Sequence, residues 1–255
     1  MSLQKATAAI TISIDATIAT IEFGHPASNS FPSLLLKELT STFETVGQNP
    51  EVAVVVLKSK GTAAFCAGAS FDELLAVANE AEGKAFFSGF AHLINAMRKC
   101  PKLIIGRIQG KAIGGGVGIV AACDYVLASQ EASIKLSELA IGIGPFVIEP
   151  AVSRKIGKTA LAELSLAAQE WKSATWAKEK GLYANTFESI EKLDAAVAEL
   201  AFQITTYNSE ALAEMKKVLW EGTEHWDTLL IERAAITGKL VLSEATKTAL
   251  AAFKK

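Results

Sequence analysis

The chain has 255 residues, half of them hydrophobic, and its 25 basic and 27 acidic side chains give a formal net charge of -2. This length can bury a large core in one domain with a smaller appendage, and the near balance of charge points to neither nucleic acid nor an anionic membrane surface. The cysteines, Cys66, Cys100 and Cys123, show no Cys-x-x-Cys spacing, so we expect a reduced compartment and no metal site. No export signal or membrane span is predicted, and we expect a cytoplasmic protein.

The first elements predict a β-α-β unit. Residues 9–14 and 17–23 alternate apolar and polar side chains around Asp15-Ala16, which is typical of a β-hairpin. A helix beginning near Pro32 follows, with apolar residues at helical spacing, namely Leu34, Leu35, Leu39, Phe43 and Val46. Residues 52–57 form a nearly continuous β-branched run, which indicates a strand buried on both faces.

A loop over residues 61–74 comes next and offers an accessible backbone. Its small residues at 67–69 let a ligand approach the main chain, and an amphipathic pattern begins at Phe71. Residues 86–97 predict a helix that carries His92, and residues 103–108 predict a buried strand. These elements lead directly into the stretch around which the chain is organised.

That stretch, residues 110–124, contains three consecutive glycines, Gly114 to Gly116. The first amides of a helix have no internal partner and lie at the positive end of its dipole, so a negative group can bind there. The lysine and hydroxyl residue of a phosphate loop are missing, as is the spacing of a dinucleotide turn. An oxyanion site is the better fit, although the motif alone is equally consistent with a glycine turn that lets a helix pack closely on a sheet.

Two short strands, at 125–128 and 133–136, precede Glu138. Apolar stretches on both sides would partly desolvate this carboxylate and raise its pKa toward the range useful for proton transfer. The alternatives are an exposed glutamate or an ion-pair partner.

Strand signals end at Phe146, and the last third of the chain reads as helices only. We therefore expect an α/β core followed by a helical region. The predicted helices cover 151–156, 158–168, 173–180, 190–206, 209–219, 223–238 and 243–253.

Together these residues resemble the crotonase superfamily, the enoyl-CoA hydratase/isomerase family, over essentially the whole chain. The first loop, Ala64-Phe65-Cys66-Ala67-Gly68-Ala69, and the triple glycine are similar to its two oxyanion loops. The order of the further motifs at 122–124, 137–145, 154–157 and 174–182 is more specific than any one of them. The glycine pattern looks most like bacterial hydratases of substituted enoyl-CoA, such as 3-methylglutaconyl-CoA.

The resemblance implies an α/β fold with a β-β-α spiral core over residues 1–195 and a helical trimerisation region over 196–255. It implies a homotrimer or a dimer of trimers, an acyl-CoA substrate, and no cofactor besides the coenzyme A of that substrate. Glu138 is then the acid–base residue, while the backbone N–H groups of Ala69 and Gly115 hold the thioester oxygen. The implied substrate-binding residues are Ala67, Gly68, Ser70, Phe71, Gly114, Gly118, Pro145, Phe253 and Lys255.

The departures from the family matter for the reaction. Gly118 stands where hydratases of this family carry their first glutamate, and Ser70 replaces a usual aspartate. We expect an enoyl-CoA hydratase that uses Glu138; the alternatives are an isomerase using the same residue and a protein that binds acyl-CoA without turnover. Glu149 is a candidate second carboxylate, although an ordinary first-turn helix residue is the better interpretation. We interpret His92 as a packing or surface residue, and Cys66 and Cys123 as core cysteines.

Overall fold

A six-stranded sheet with helices on both faces forms the centre of the molecule. The computed structural model describes residues 9–253, with the side chain of Phe253 outside that description. The strands are β1 Ala9–Asp15, β2 Ile18–Gly24, β3 Val54–Ser59, β4 Leu103–Ile108, β5 Ala112–Ile113, β6 Tyr125–Ser129, β7 Ile134–Lys135 and β8 Asn185–Phe187. The helices are α1 Ser33–Gln48, α2 Phe71–Ala76, α3 Glu80–Lys99, α4 Gly115–Ala122, α5 Glu149–Leu166, α6 Ala174–Glu179, α7 Ile190–Thr205, α8 Ser209–Leu219, α9 Trp226–Leu240 and α10 Glu244–Phe253.

The order of the large sheet is β1-β2-β3-β4-β6-β8, while β5 and β7 form a separate parallel pair. The β1–β2 hairpin is antiparallel, and each later neighbour in the large sheet pairs in parallel. Strands and helices alternate as far as α6, and helices alone follow β8. The α/β class with a helical end is therefore as the sequence predicts.

Helix α7 covers one face of this sheet. Leu193 and Val197 of α7 pack with Val54 and Val56 of β3 and with Leu127 of β6 in a separate apolar cluster. The predicted domain boundary at residue 195 falls inside α7, which covers Ile190–Thr205. Side chains of this helix pack on the sheet both before and after that residue. The division of the chain into a core and a C-terminal helical region stays a prediction.

The structure corrects two local predictions and confirms a third. The expectation that strands end at Phe146 is wrong, because β8 adds a three-residue edge to the sheet beside β6. Leu34, which the sequence places among the apolar residues of the first helix, is 65% exposed on α1. Leu36 is buried beside Leu35 instead. The two helices predicted at 151–156 and 158–168 are confirmed, because the backbone of Gly157, with φ 73° and ψ 164°, is not helical and divides α5 at that point.

Helices α3 and α9 cross with their backbones in contact. A Cβ on Gly238 would lie 2.4 Å from the backbone nitrogen of Lys84, and one on Gly83 would lie 2.5 Å from the carbonyl oxygen of Gly238. Only glycine at both positions permits this approach, which brings the neighbouring residues of the two helices to the same cavity.

A buried ion pair fixes α8 to the core. Lys216 Nζ lies 2.7 Å from Asp124 Oδ2, and these side chains are 4% and 3% exposed. Trp220 Nε1 and the backbone N–H of Ile104 also donate to the Asp124 carboxylate, each at 2.7 Å. Because Asp124 follows α4 directly, this network anchors the C-terminal end of that helix.

Candidate active site

A cavity of about 250 Å³ lies between the first loop, the N-terminus of α4 and the turn that carries Glu138. Its largely apolar lining with a few polar groups is typical of a small-molecule site. The lining brings together eight of the residues implied by the family resemblance, namely Ala67, Gly68, Ala69, Phe71, Gly114, Gly115, Glu138 and Pro145.

The two glycine loops lie side by side at this cavity. The backbone N–H of Ile113 donates to the carbonyl oxygen of Cys66 at 3.0 Å. Gly68 has a φ of +86°, and a Cβ there would lie only 3.1 Å from the carbonyl oxygen of Ile113. Within residues 9–253, the N–H groups of Ala69 and Gly115 donate to no protein acceptor. Two free donors from separate loops therefore line one cavity.

The glycines at the start of α4 are required by their surroundings. Gly114 has a φ of 53°, and a Cβ there would lie 2.9 Å from Glu138 Oε1. A Cβ on Gly115 would lie 2.2 Å from the ring of Phe90. Any larger residue would displace either the carboxylate or the aromatic wall, so the motif encodes close approach as well as free amides.

Among residues 9–253, Glu138 is the one charged residue that lines the cavity. It precedes a short 3-10 turn, Leu139–Ile141, and its Oε2 atom is buried and has no hydrogen-bond partner in the part of the chain that the structure describes. Burial raises the pKa of this carboxyl from 4.5 to about 7, since the charged form loses its hydration. Neither alternative from the sequence, an exposed glutamate or an ion-pair partner, describes this side chain.

The last helix holds the turn that carries Glu138. Thr246 of α10 is fully buried, and its Oγ1 lies 2.9 Å from the carbonyl oxygens of both Gly142 and Leu240. Gly142 ends the turn with a φ of 83°. A hydroxyl in a distant helix thus contributes to the position of the acidic turn.

Two of the implied substrate-binding residues do not line the cavity. A Cβ on Gly118 would lie 2.4 Å from Ile148 Cγ2, so the Ile148 side chain occupies the space that a glutamate at 118 would need. Ser70 Oγ instead accepts a hydrogen bond from the backbone N–H of Glu73 and caps α2. Lys255 and the side chain of Phe253 lie outside the described part of the chain.

The other candidate groups have structural environments. Glu149 is the first residue of α5 and pairs with Lys158 and Arg233, as expected for an ordinary first-turn residue. His92 is exposed on α3 and is not among the residues that line the cavity. Cys66 and Cys123 are buried core thiols, and burial raises the pKa of each to about 12.

Sequence reasoning missed four further residues that line the cavity. Phe87 and Phe90 come from α3, Thr237 from α9, and Ile148 from the residue before α5. The available signal was weak, because such residues in amphipathic helices are indistinguishable from ordinary core positions. Their role depends on the α3–α9 crossing, which sequence spacing does not reveal.

Metal-binding clusters and membrane-spanning helices are both absent from the described residues. Residues 9–253 contain no group of three or more His, Cys, Asp or Glu side chains arranged to hold a metal ion. Among the same residues, none of the helices combines the length and apolar character that crossing a membrane requires.

Comparison with known proteins identifies the family. The model of the enoyl-CoA hydratase/isomerase family matches residues 13–253. The chain belongs to this family. It is 27% identical to a probable enoyl-CoA hydratase of Bacillus subtilis, over 96% of this chain and 95% of that protein. It is 29% identical to a peroxisomal Delta(3,5)-Delta(2,4)-dienoyl-CoA isomerase of Arabidopsis thaliana, over 73% of this chain and 71% of the relative.

A mitochondrial methylglutaconyl-CoA hydratase of Rattus norvegicus is 28% identical over 77% of this chain and 63% of its own length. The crystal structure of an enoyl-CoA hydratase from Bacillus halodurans superposes with a TM-score of 0.89 at 21% identity, covering 95% of this chain and 99% of that one. The crotonase fold predicted from the sequence is confirmed, and the family's named activities include both hydration and isomerisation.

Proposed function

We propose that this protein shifts the double bond of an enoyl-CoA thioester, with Glu138 as its single acid–base group. The observation that carries the proposal is a carboxylate whose Oε2 atom is buried and has no hydrogen-bond partner among the described residues, in a cavity that also contains two free backbone N–H groups. Ile148 fills the position of a second carboxylate. One carboxylate is sufficient for moving a proton between two carbons, whereas adding water also requires an oriented nucleophile.

The proposed reaction begins with the thioester oxygen accepting hydrogen bonds from the N–H groups of Ala69 and Gly115. Glu138 removes a proton from the carbon next to the thioester carbonyl, and the electron pair moves onto the oxygen as a dienolate. Glu138 then returns the proton two carbons further along, so the double bond becomes conjugated with the carbonyl and no net proton is used. Each oxyanion donor contributes about 3 to 4 kcal/mol to stabilising such an intermediate.

The raised pKa of Glu138 supports both halves of this cycle. A base works best when its pKa lies near the working pH, because it must accept and then release the same proton. A pKa of about 7 meets this condition at neutral pH.

Hydration is the second candidate, and the name of the Bacillus subtilis relative favours it. Glu138 would then hold a water molecule and return its proton to the carbon next to the carbonyl. With Gly118 in place of a second glutamate, we expect this reaction to be slower than isomerisation.

A panel of 2-enoyl and 3-enoyl thioesters tests the choice. Isomerisation produces conjugated absorbance from 3-enoyl-CoA, and hydration removes it from 2-enoyl-CoA.

Glu138→Gln should lower the rate by about 100- to 10,000-fold, whereas Glu149→Gln, a matched carboxylate outside the cavity, should retain it. For wild type, kcat/KM should rise with pH through about 7 as Glu138 ionises. Binding of acyl-CoA without any turnover would overturn the proposal in favour of a binding protein.

The family resemblance also supports a homotrimer or a dimer of trimers, which sedimentation velocity can distinguish. A cytoplasmic location stays a prediction, which fractionation of the source cells would check.

A further inference from the structure

We propose that the cavity accepts only short, uncharged acyl chains, and that Leu74 sets the limit of chain length. The inference rests on the proposed function for the ligand, an acyl-CoA thioester, and adds the class of acyl group. It is drawn from the charge of the lining, the volume enclosed, and one leucine shared between two cavities.

The lining provides nothing to pair with a charge on the acyl chain. Besides Glu138, its polar side chains are Ser137 and Thr237, and no lysine, arginine or histidine of residues 9–253 lines it. The Thr237 hydroxyl already donates to the carbonyl oxygen of Arg233 at 3.2 Å. A second carboxylate carried by a substrate would therefore be buried without a cation and close to Glu138, which is costly on both counts.

The volume limits the length. A space of about 250 Å³ corresponds to roughly eight water molecules, and therefore to roughly eight non-hydrogen atoms. The thioester group takes up part of that room at the two oxyanion donors. The remainder fits an acyl chain of roughly four to six carbons.

Leu74 separates this cavity from a second apolar one. Its buried side chain on α2 lines the catalytic cavity and also a neighbouring hollow of about 320 Å³. The hollow is bounded by the apolar residues Leu75, Val77, Val241, Leu242 and Leu250 and by Lys247. Lys247 is paired with Glu244 at 2.9 Å. Removing the Leu74 side chain would connect two apolar spaces.

Calorimetry with saturated acyl-CoA thioesters of four to twelve carbons tests the length limit without requiring turnover. For wild type, affinity should rise to about six carbons and then stop rising. For Leu74→Ala, it should continue to rise by roughly fourfold for each further buried methylene. Leu75→Ala is the matched control, since Leu75 lines only the hollow, and it should keep the wild-type limit. Leu74→Met, which conserves volume, should keep it too.

The charge restriction is tested with hexanoyl-CoA and adipoyl-CoA, which differ by a terminal carboxylate. Adipoyl-CoA should bind wild type at least about 100-fold more weakly. Comparable binding of the two, or a wild-type affinity that keeps rising to twelve carbons, would overturn the inference.

The same series decides the role of Leu74. A profile for Leu74→Ala identical to that of wild type would remove Leu74 as the limit. Leu74→Val provides a milder version of the test should the alanine variant fail to fold. If the protein shows the chain-length limit but no turnover, this inference stands and the proposed function is rejected. If the protein isomerises long or charged substrates, the proposed function stands and this inference is rejected.

Discussion

Asp124 and Glu138 are carboxylates at opposite ends of α4, and they differ in the hydrogen-bond partners that surround them. Asp124 receives hydrogen bonds from Lys216, Trp220 and the backbone of Ile104. Glu138 lies against the first turn of α4, and its Oε2 atom has no hydrogen-bond partner within residues 9–253. The partnered acid joins two regions of the fold. The unpartnered acid costs stability and gains a pKa near neutrality, a combination typical of groups that transfer protons.

The largest expected effect comes from breaking the pair at Asp124. Asp124→Asn leaves the Lys216 ammonium buried without a counter-charge, which should lower the free energy of unfolding by about 3 to 5 kcal/mol. Urea denaturation followed by tryptophan fluorescence measures it. The double variant with Lys216→Met should recover most of the loss. Lys217→Met, which removes an exposed pair with Glu214, should change stability far less, and equal losses would contradict this account.

Glu138→Gln should change the free energy of unfolding in the opposite direction from Asp124→Asn. In the unfolded chain the Glu138 pKa is 4.5, and in the folded protein it is about 7. Between these values the folded state binds more protons than the unfolded state, so wild-type stability falls as pH rises. This loss of wild-type stability is complete above about pH 7 and amounts to at most about 3 kcal/mol of unfolding free energy.

The variant lacks this titration, so it should be more stable than wild type at pH 8 and similar to it at pH 4.5. Thermal unfolding at the two pH values provides the measurement. A stability difference independent of pH would show that the carboxylate is hydrated in the native protein.

Gly118→Ala tests the middle of α4, between the two acids. The added Cβ would lie 2.4 Å from Ile148 Cγ2, and such overpacking should cost about 1 to 3 kcal/mol. Since Ile148 also lines the cavity, turnover should fall as well. Combining Gly118→Ala with Ile148→Ala should relieve the strain in chemical denaturation. If the effects of the two substitutions on the free energy of unfolding are simply additive, the contact between residue 118 and Ile148 is not the cause of the lost stability.

The smallest effect concerns the support of Glu138. Thr246→Val removes the hydroxyl near the Gly142 carbonyl and should cost about 1 kcal/mol of stability. Because Gly142 ends the turn after Glu138, kcat should fall more than KM changes, and the pH midpoint of kcat should move. Thr246→Ser should restore both values. A variant that loses stability with an unchanged pH profile would limit Thr246 to a structural role.

Local motifs made much of this site predictable. The loops at 64–69 and 110–118 specify small residues and exposed amides within a few positions, and the apolar flanks of Glu138 indicate its raised pKa. The Asp124–Lys216 pair spans 92 residues, and no local pattern encodes it. Edge strand β8 has three residues and pairs through its main chain, so its side chains carry little signal. The displacement of a carboxylate at 118 depends on Ile148, which only the three-dimensional packing reveals.

The three buried thiols have a practical consequence. Burial raises the pKa of Cys66, Cys100 and Cys123, so the native protein presents hardly any thiolate to an alkylating reagent. Covalent labelling would then occur only in molecules that have opened. Cys66 belongs to the loop at 64–69, Cys100 ends α3, and Cys123 ends α4, so mass spectrometry of the labelled peptides would time the opening of three separate regions without any engineered probe.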